Sequence, residues 1–363
     1  MRIDQGLWQS IVRNISGSGL GVTGSGNGYA LIHALVSTGS RLGTLALLEK
    51  GANPNAKTPE SSSALHFAAE SGGVDLIELL LEKGADIHAL DAAGNSSLHQ
   101  AVHAGQAAVV QLLLGKGADQ EQQNKDGETP LIIAARGGRE EVCKILLEKG
   151  ALQIAIGSDA PLTAAASQGH TSIVKLLLDA GANIEEGFGG RTPLKMATLG
   201  GHLYTVELLL QRRAQIENRG EGAFTALMLA VRYGHDAVVN MLTNYGADVN
   251  AVSNDKSHFT PLMHAASSGH VQITSTLLHK GALVDMMDVR RNTALILAAG
   301  GGHTEVVGIL LQNEAKTKPK NEEGQDALEI SRRYCHREVE KLLRAHMPWY
   351  ELVSRSPRHD RLL

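Results

Sequence analysis

Apolar residues recur along most of this chain in short paired segments, each spaced as one face of a helix. In the stretch 129–150, Leu131 and Ala135 lie on one face of a first helix that ends at two glycines. Val142 and Leu146 then mark the inward face of a second helix, predicted from about residue 140 to 148. Because this antiparallel pair has two apolar faces and cannot cover either of them alone, it requires neighbours on both sides.

The same helix pair returns at a nearly constant interval. Successive equivalents of Thr129 are 31 to 35 residues apart. A period in this range indicates stacked supersecondary units, each of which contacts only its neighbours. We count about ten repeats, which start near residues 30, 63, 96, 129, 160, 192, 225, 260, 293 and 326.

The motifs within these repeats resemble those of the ankyrin repeat family, T-P-L-H-x-A-A near the start and G-A near the end. The first motif stands at Ala30-Leu31-Ile32-His33, Ser63-Ala64-Leu65-His66, Ser96-Ser97-Leu98-His99, Thr129-Pro130-Leu131-Ile132, Thr192-Pro193-Leu194-Lys195 and Thr260-Pro261-Leu262-Met263. The second stands at Gly51-Ala52, Gly84-Ala85, Gly117-Ala118, Gly150-Ala151, Gly181-Ala182, Gly246-Ala247 and Gly281-Ala282. The resemblance covers residues 30 to about 346. It implies an all-α repeat solenoid of stacked helix–turn–helix units with β-hairpin finger loops, forming a curved slab in which the motif histidines brace adjacent turns.

We therefore predict three parts: a capping helix and Gly/Ser-rich linker in 1–29, the repeat domain in 30–346, and a tail in 347–363. The apolar spacing near the N-terminus suits a cap over the open end of the stack or a docking helix for a partner, and both interpretations stay open. The run from Gly19 to Gly24 matches the dinucleotide fingerprint by spacing. No buried strand precedes it, so a flexible linker is favoured.

Composition narrows the class of protein. The net charge of −4 over 363 residues gives no electrostatic argument for binding nucleic acid. No window approaches the roughly 20 apolar residues of a membrane span, so we expect no membrane insertion. The two cysteines are far apart in the repeats, which fits a reducing compartment. We expect a cytoplasmic monomer; the basic run 316–320 is either a nuclear signal or, as we favour, a solvated finger.

No catalytic or metal-binding arrangement is apparent in the sequence. Half of the 16 histidines occupy repeated positions. Ligands one repeat apart would be about 10 Å from each other, whereas zinc needs ligands about 2 Å from the metal. Cys143 lies on an apolar helical face, where burial is expected to raise the pKa of its thiol. We therefore predict no enzyme activity, no cofactor and no metal site.

The resemblance implies a scaffold or adaptor that binds partner proteins through its concave face and finger tips. The alternatives are a dedicated inhibitor that masks one partner, or a substrate receptor of a ubiquitin ligase if the chain is part of a longer protein. Aromatic, Met and Arg residues are enriched in interface cores. On that basis the candidate contacts, called here the predicted patch, are Arg232, Tyr233, His258, Phe259, Met286, Met287 and Arg290. For Phe259 and Met287, packing between fingers is an equally good interpretation.

Local departures from the repeat give further expectations. Arg213 and Glu314 stand where most repeats have the closing glycine, so both should adopt the left-handed conformation at a cost of about 1 kcal/mol. The apolar pair Ile154 and Ile156 is either a packing adjustment or an adhesive finger tip. The resemblance also suggests a finger asparagine at position 55 and another at 250 as hydroxylation sites.

Overall fold

The computed structural model describes residues 31–153, 159–219 and 223–346. Within these ranges it contains 20 α-helices of seven to ten residues and no β-strand. Two isolated antiparallel bridges, Lys57 to Ser63 and Leu90 to Ser96, are what the described fingers retain of a hairpin. The predicted N-terminal helix and linker (1–29), the first motif residue Ala30, the pair at 154 and 156, and the tail 347–363 lie outside the described residues.

Contacts divide the chain into two compact units, and the first spans residues 1–188. Its helices alternate between first and second helices of successive repeats. Each first helix packs on its own second helix, and successive first helices within the unit pack on one another. The helices are α1 (Leu31–Ser37), α2 (Arg41–Glu49), α3 (Ala64–Ser71), α4 (Val74–Glu82), α5 (Ser97–Ala104), α6 (Ala107–Gly115), α7 (Pro130–Arg136), α8 (Glu140–Glu148), α9 (Pro161–Ser167) and α10 (Thr171–Asp179).

The second unit spans residues 189–363 and continues the same alternation. Its helices are α11 (Pro193–Leu199), α12 (Leu203–Gln211), α13 (Ala226–Arg232), α14 (Asp236–Asn244), α15 (Pro261–Ser268), α16 (Val271–His279), α17 (Ala294–Gly301), α18 (Thr304–Gln312), α19 (Ala327–Arg333) and α20 (Arg337–His346). An all-α repeat solenoid is thereby confirmed.

The first helices begin at the residues that the motif predicts. The Thr129 hydroxyl accepts a hydrogen bond from the backbone amide of Ile132 at 3.5 Å, and Pro130 occupies the first helical position, where no amide bond is lost. Thr192, Thr225, Thr260 and Thr293 cap their helices in the same way. Since capping needs only local sequence, these starts were predictable without the tertiary structure.

The core is a series of thin apolar layers. Leu131, Val142 and Leu146 are completely or almost completely buried between neighbouring helices, as the helical spacing predicts. Cys143 lies in the same layer with no exposed surface. Burial, assisted by the nearby charge of Glu140, raises the pKa of the Cys143 thiol to about 12, which confirms that this cysteine acts as a small apolar residue.

The motif histidines join each repeat to the next. The Nδ1 atom of His66 accepts a hydrogen bond from the backbone amide of Ser63 at 3.2 Å. Nε2 therefore carries the proton and donates to the carbonyl of Asn95, 29 residues away, at 3.0 Å. His33 and His99 bond Ala56 and Glu128 in the same manner. The bracing role that the resemblance implied is confirmed for these three residues.

A lysine takes the place of the motif histidine in the sixth repeat. Lys195 is only 6% exposed, and its ammonium group donates to the carbonyl of Arg219 at 2.8 Å. Burial lowers the pKa of this lysine from its usual value. The structural requirement is therefore a donor that reaches the next finger, and an imidazole is one of several groups that satisfy it.

A second set of histidines stands at the start of the second helices. His235 donates from Nε2 to the carbonyl of Leu199 at 3.0 Å, and His336 donates to Gly300 at 3.0 Å. His336 was not among the histidines assigned to the repeat, because Cys335 rather than glycine precedes it. Gly302 has a φ of 74°, and a Cβ there would lie 2.7 Å from the His336 ring, so this turn needs glycine for both reasons.

The second helices end in the left-handed conformation, as predicted. Gly150 has a φ of 83°. Arg213 and Glu314 adopt φ values of 67° and 64° at the equivalent positions. The predicted conformation of these two residues is therefore confirmed, whereas its effect on stability remains a prediction.

Candidate functional site

The predicted patch lies in the second unit, at the end of α13 and on the two following fingers. Arg232 is the last residue of α13 and is exposed. Tyr233, which follows it, is 54% exposed, and its ring stacks on the imidazole of His235 with 6.4 Å between ring centroids. Because His235 is itself hydrogen-bonded to Leu199, the tyrosine ring rests on a fixed support.

Beneath Arg232 is a cluster of rings drawn from two repeats. The guanidinium carbon of Arg232 lies 5.3 Å from the ring centroid of Phe224, the geometry of a cation–π contact. Phe224 in turn meets the imidazole of His264 edge-on at 5.6 Å, and Phe259 meets the same imidazole at 5.2 Å. The cluster holds the arginine head at the surface, so it needs little further ordering on contact with a ligand.

Phe259 belongs to this cluster and not to the exposed surface. It stands immediately before the helix cap Thr260 and packs on His264 in the first turn of α15, as in a hydrophobic staple. Phe259 is half-buried. Of the two interpretations left open for it, the structure favours packing, whereas Met287 is 43% exposed and stays available for contact.

Burial sets the charge state of His264. The pKa of its imidazole is lowered to about 4, first by burial and then by the positive charge of Arg232, with Asp255 acting in the opposite direction. The ring is therefore neutral at pH 7. Among the described residues, its Nε2 atom is buried and has no hydrogen-bond partner.

The finger of the eighth repeat is organised by one carboxylate. Asp255 accepts hydrogen bonds from the hydroxyls of Ser257 at 2.6 Å and Ser253 at 2.7 Å, and from the backbone amides of Ser257 and His258. Burial acts to raise the pKa of Asp255, but these hydrogen bonds together outweigh it and lower the pKa to about 2. The carboxylate is ionised, and its Oδ1 atom accepts all four of these hydrogen bonds. His258 itself is exposed at the tip.

The finger of the ninth repeat has the same construction. Asp288 is buried and accepts from the backbone and side-chain amides of Asn292 at 2.6 and 3.0 Å. Met286 is half-buried, while Met287, Val289 and Arg290 are exposed around it. The finger thus encloses its acid and presents its apolar and basic side chains.

Both finger tips hold a non-glycine residue in the left-handed conformation. Three residues after the organising side chain, the fingers that begin with Asp91, Asn124 and Asn321 have Gly94, Gly127 and Gly324 at φ values of 74–80°. The two fingers of the predicted patch have His258 at 52° and Arg291 at 61°, and a third non-glycine residue, Ser61, occupies the position in the second repeat. Each costs about 1 kcal/mol relative to glycine. Such strained residues cluster at functional sites.

Backbone hydrogen bonds connect the patch from repeat to repeat. The amide of Asn254 donates to the carbonyl of Ala223 at 3.0 Å, and the amide of Val289 donates to the carbonyl of Ser257 at 3.4 Å. The carbonyl of Arg290 accepts from the finger of the tenth repeat at 3.0 Å. The residues of the patch therefore lie on a continuous row of fingers.

Arg290 also forms part of a groove of about 580 Å³, called here the ninth-repeat groove. Ile296, Leu297, Gly300, Gly301 and Ile330 are among its lining residues, together with Arg333 and Tyr334. The two glycines have no side chain that would fill the space. A groove of about 450 Å³ in the first unit contains Arg136, but Glu128 and Asp159 already pair with that arginine.

Sequence reasoning missed Phe224 and His264, and it placed Arg291 on the ninth finger without including it in the predicted patch. The signal that was available for Phe224 and Phe259 is that both precede a threonine helix cap, 35 residues apart, in a chain with four phenylalanines. His264 carried no signal, because it lies outside the repeated histidine positions.

The two finger asparagines suggested as hydroxylation sites, Asn55 and Asn250, occupy equivalent positions in their fingers. The side-chain amide of each donates to the carbonyl of the glycine that closes the next repeat, at 2.9 and 3.3 Å.

Nothing in the described residues suggests a metal centre, since no three His, Cys, Asp or Glu side chains come close enough to share an ion. Within the same residues, every helix is too short or too polar to cross a membrane. The chemistry that this surface offers is recognition by charge, hydrogen bonds and apolar contact.

Comparison with known proteins places matches along nearly the whole chain. The family described as "Ankyrin repeats (3 copies)" matches residues 7–91, 32–124, 84–158, 157–220, 186–253 and 216–288. The family described as "Ankyrin repeat" matches residues 290–321. The matches begin within the segment 1–29 that we separated from the repeats, and the three-part division of the chain stays a prediction.

Similar curated proteins match over shorter stretches. The human "Ankyrin repeat and KH domain-containing protein 1" is 38% identical over 77 residues, which is 21% of this chain and 3% of that protein. The Drosophila melanogaster "Ankyrin repeat and KH domain-containing protein mask" is 35% identical over 106 residues, 29% of this chain and 3% of its own length. The mouse "Ankyrin repeat domain-containing protein 17" is 38% identical over 77 residues, again 3% of its length. The matches thus span about 3% of the length of these relatives.

Proposed function

The chain belongs to the ankyrin repeat family, and from that premise we propose that it is a non-enzymatic scaffold or adaptor for partner proteins. Ankyrin repeats are generally protein–protein interaction modules. The proposal is that this chain works by rigid display of side chains and not by chemistry. Partner contacts are assigned to the predicted patch, on the end of α13 and the fingers of the eighth and ninth repeats.

One observation carries the assignment to this place. Arg232 is held at the surface by the ring of Phe224, next to an exposed tyrosine that rests on a hydrogen-bonded imidazole. Arginine and tyrosine are the residues that most often dominate binding energy at interfaces. Side chains that are already ordered lose less conformational entropy on binding, which favours affinity.

The test is a crosslinking pull-down with the full chain, comparing wild type with Arg232→Glu/Tyr233→Ala. Tyr204→Ala/Arg213→Glu is the matched control, because it makes the same two changes at exposed positions on or just after α12. Circular dichroism should give equal helix content for all three proteins. Loss of a partner from the first variant only supports the proposal, and equal retention by both variants refutes the assignment to this patch.

A scaffold and a dedicated inhibitor would use the same surface, so the number of partners distinguishes them. A scaffold forms a complex in which two partners are bound at once, whereas an inhibitor bound to its target excludes the target's other ligands. Size-exclusion chromatography with light scattering on the reconstituted complex separates these outcomes. The same measurement on the free chain tests the expected monomer.

We also propose that the protein works in a reducing, cytoplasmic compartment. The two cysteines are free: Cys143 is buried as a thiol and Cys335 is exposed. An exposed free thiol is more compatible with a reducing environment than with secretion. Fluorescence imaging of the tagged chain tests this placement, and accumulation in the nucleus would instead favour the basic run 316–320 as a signal.

A further inference from the structure

Among the described residues, four cations on the predicted patch and its fingers have no carboxylate partner. Arg232, Lys256, Arg290 and Arg291 are all exposed. In residues 31–153, 159–219 and 223–346, no ion pair or side-chain hydrogen bond engages any of the four. We call them the cationic rim. Elsewhere in the chain, Arg136, Arg332, Arg333 and Arg344 each pair with an acid.

Three acids of the same two fingers are engaged by other groups of the protein and not by the rim. Asp255 is bound by two serine hydroxyls and two backbone amides, and Asp288 is buried against Asn292. Asp285 pairs with Lys316 of the next finger at 3.3 Å. No ion pair joins any of these three acids to a cation of the rim among the described residues, so the four cationic side chains remain available to a ligand in a chain whose net charge is −4.

The apolar part of the same surface is also uncovered. Val289, which precedes Arg290, is 45% exposed, and Met287 is 43% exposed. Arg290 forms part of the wall of the ninth-repeat groove, whose lining combines apolar side chains and two glycines with polar residues and with Glu322 and Glu323. Glu323 pairs with Arg333 of the same groove. A ligand with negative charge for the rim and an apolar side chain for Met287 or for the apolar part of the groove would use both features.

We propose that the cationic rim binds an extended, acidic segment of a partner protein, with its carboxylates on Arg232, Lys256, Arg290 and Arg291 and an apolar side chain in the ninth-repeat groove. This rests on the proposed function and specifies the chemistry of the partner. Arginine suits the role because its planar guanidinium holds a carboxylate through two hydrogen bonds.

The finger tips give the proposal an independent argument. At the turn position where other fingers have glycine, the eighth finger has His258 and the ninth has Arg291, both left-handed. In the tenth repeat this position is Gly324, and a Cβ placed there would have nothing within 4 Å. At Gly94 of the third repeat a Cβ would instead lie 3.0 Å from the backbone nitrogen of Lys125, so the space for a side chain at this turn differs between repeats. The strained backbone at His258 and Arg291 is of the kind that clusters at functional sites.

Nucleic acid is the other class of polyanion that a basic surface attracts. Binding of that kind needs contacts to many phosphates along a backbone, because each neutralised phosphate adds to affinity. Four cations interspersed with Met287 and Val289, in an acidic chain, fit a short acidic peptide better. The experiment nevertheless includes an RNA arm.

The experiment titrates the full chain into a fluorescein-labelled peptide of alternating glutamate and leucine, flanked by glycine and serine, and measures anisotropy. The matched probe has glutamine in place of glutamate. We expect binding of the acidic peptide only, with a dissociation constant that rises steeply from roughly 50 mM to 500 mM salt because the charges are exposed. Equal binding of the glutamine peptide, or binding of a single-stranded RNA in preference to the acidic peptide, overturns the proposal.

Variants locate the site. Arg232→Glu/Arg290→Glu should weaken binding of the acidic peptide by about tenfold or more, since two attractions become repulsions. Lys83→Glu/Lys116→Glu makes the same charge change at exposed positions in the first unit and should leave binding unaltered. Equal weakening by both pairs overturns the proposal, because it indicates a nonspecific charge effect.

One further variant separates contact from folding. Arg291→Gly relieves the left-handed backbone, so we expect a higher melting temperature together with weaker peptide binding. A role confined to folding would not weaken binding in a stabilised protein, and unchanged binding overturns the assignment of Arg291. If the acidic peptide does not bind while Arg232→Glu/Tyr233→Ala still abolishes capture of a partner, the partner chemistry is wrong and the proposed function stands.

Discussion

Arg213 and Glu314 allow a direct test of how much backbone strain the repeat tolerates. At the equivalent positions, seven glycines have φ values of 83–92°, namely Gly51, Gly84, Gly117, Gly150, Gly181, Gly246 and Gly281. Arg213 and Glu314 have φ values of 67° and 64°. These lie near the small left-handed region that a residue with a Cβ can enter. The backbone has therefore moved to accommodate a side chain.

The size of the stabilisation expected from glycine follows from treating steric contact and backbone conformation separately. A Cβ built on any of the seven glycines has nothing within 4 Å. Collision is thus excluded, and the cost that remains is the left-handed conformation itself, about 1 kcal/mol per residue. Arg213→Gly should raise the free energy of unfolding by about this amount and the melting temperature by about 2–4 °C. Glu314→Gly should have a similar effect.

Arg213→Ala is the control that makes the test decisive. It removes the charge and the long side chain but keeps the Cβ, so it should not reproduce the gain from glycine. The assay is urea unfolding followed by circular dichroism, together with hydrogen exchange of the amides at 213 and 214. There, about 1 kcal/mol corresponds to roughly fivefold slower exchange. A lowered midpoint for both glycine variants, or an equal gain from alanine, refutes the reasoning.

Three further predictions rest on single side chains. Cys335 should react with a thiol reagent at pH 8, whereas Cys143, buried and with its pKa raised to about 12, should react only after unfolding. Rapid reaction of two thiols per native chain would contradict this prediction. Burial, partly opposed by Asp91, lowers the pKa of His99 to about 4. Because the unfolded state binds the proton more tightly, the free energy of unfolding should fall as pH drops from 6.5 to about 4. His99→Gln should flatten that pH dependence in urea unfolding curves. Lys195→Met leaves the carbonyl of Arg219 without its donor and should lower the free energy of unfolding by about 1–3 kcal/mol. Lys195→His should recover part of that free energy. Equal stability of the two variants would argue against the donor role.

Much of the fold could be predicted because it is encoded locally. Thr129 caps α7, Pro130 opens it and Gly150 closes the repeat, and each role depends on the backbone within a few residues. The left-handed conformation of Arg213 followed from the same register. Repetition at about 33 residues strengthened each of these predictions, since every repeat provides an independent instance of the pattern.

The candidate site was only partly predictable, because the repeat pattern does not specify how its side chains pack. Phe259 was selected for its size, yet it packs under the surface against His264. Arg232 was selected for its residue type, but the ring of Phe224 that supports it packs in turn on His264 of the next repeat. The pairing of Asp255 and Asp288 within their fingers is likewise a matter of fold.

By itself, the sequence determined the repeat, its helix boundaries and the class of surface, since periodicity, caps and glycine positions act through the local backbone. Only the tertiary structure decided which side chains on that surface are available. Lys195 is basic in the sequence but is buried and donates to a backbone carbonyl, whereas Arg290 is exposed and has no carboxylate partner in the described residues. Charge and size belong to the residue, but exposure and pairing depend on the neighbouring repeats that pack against it.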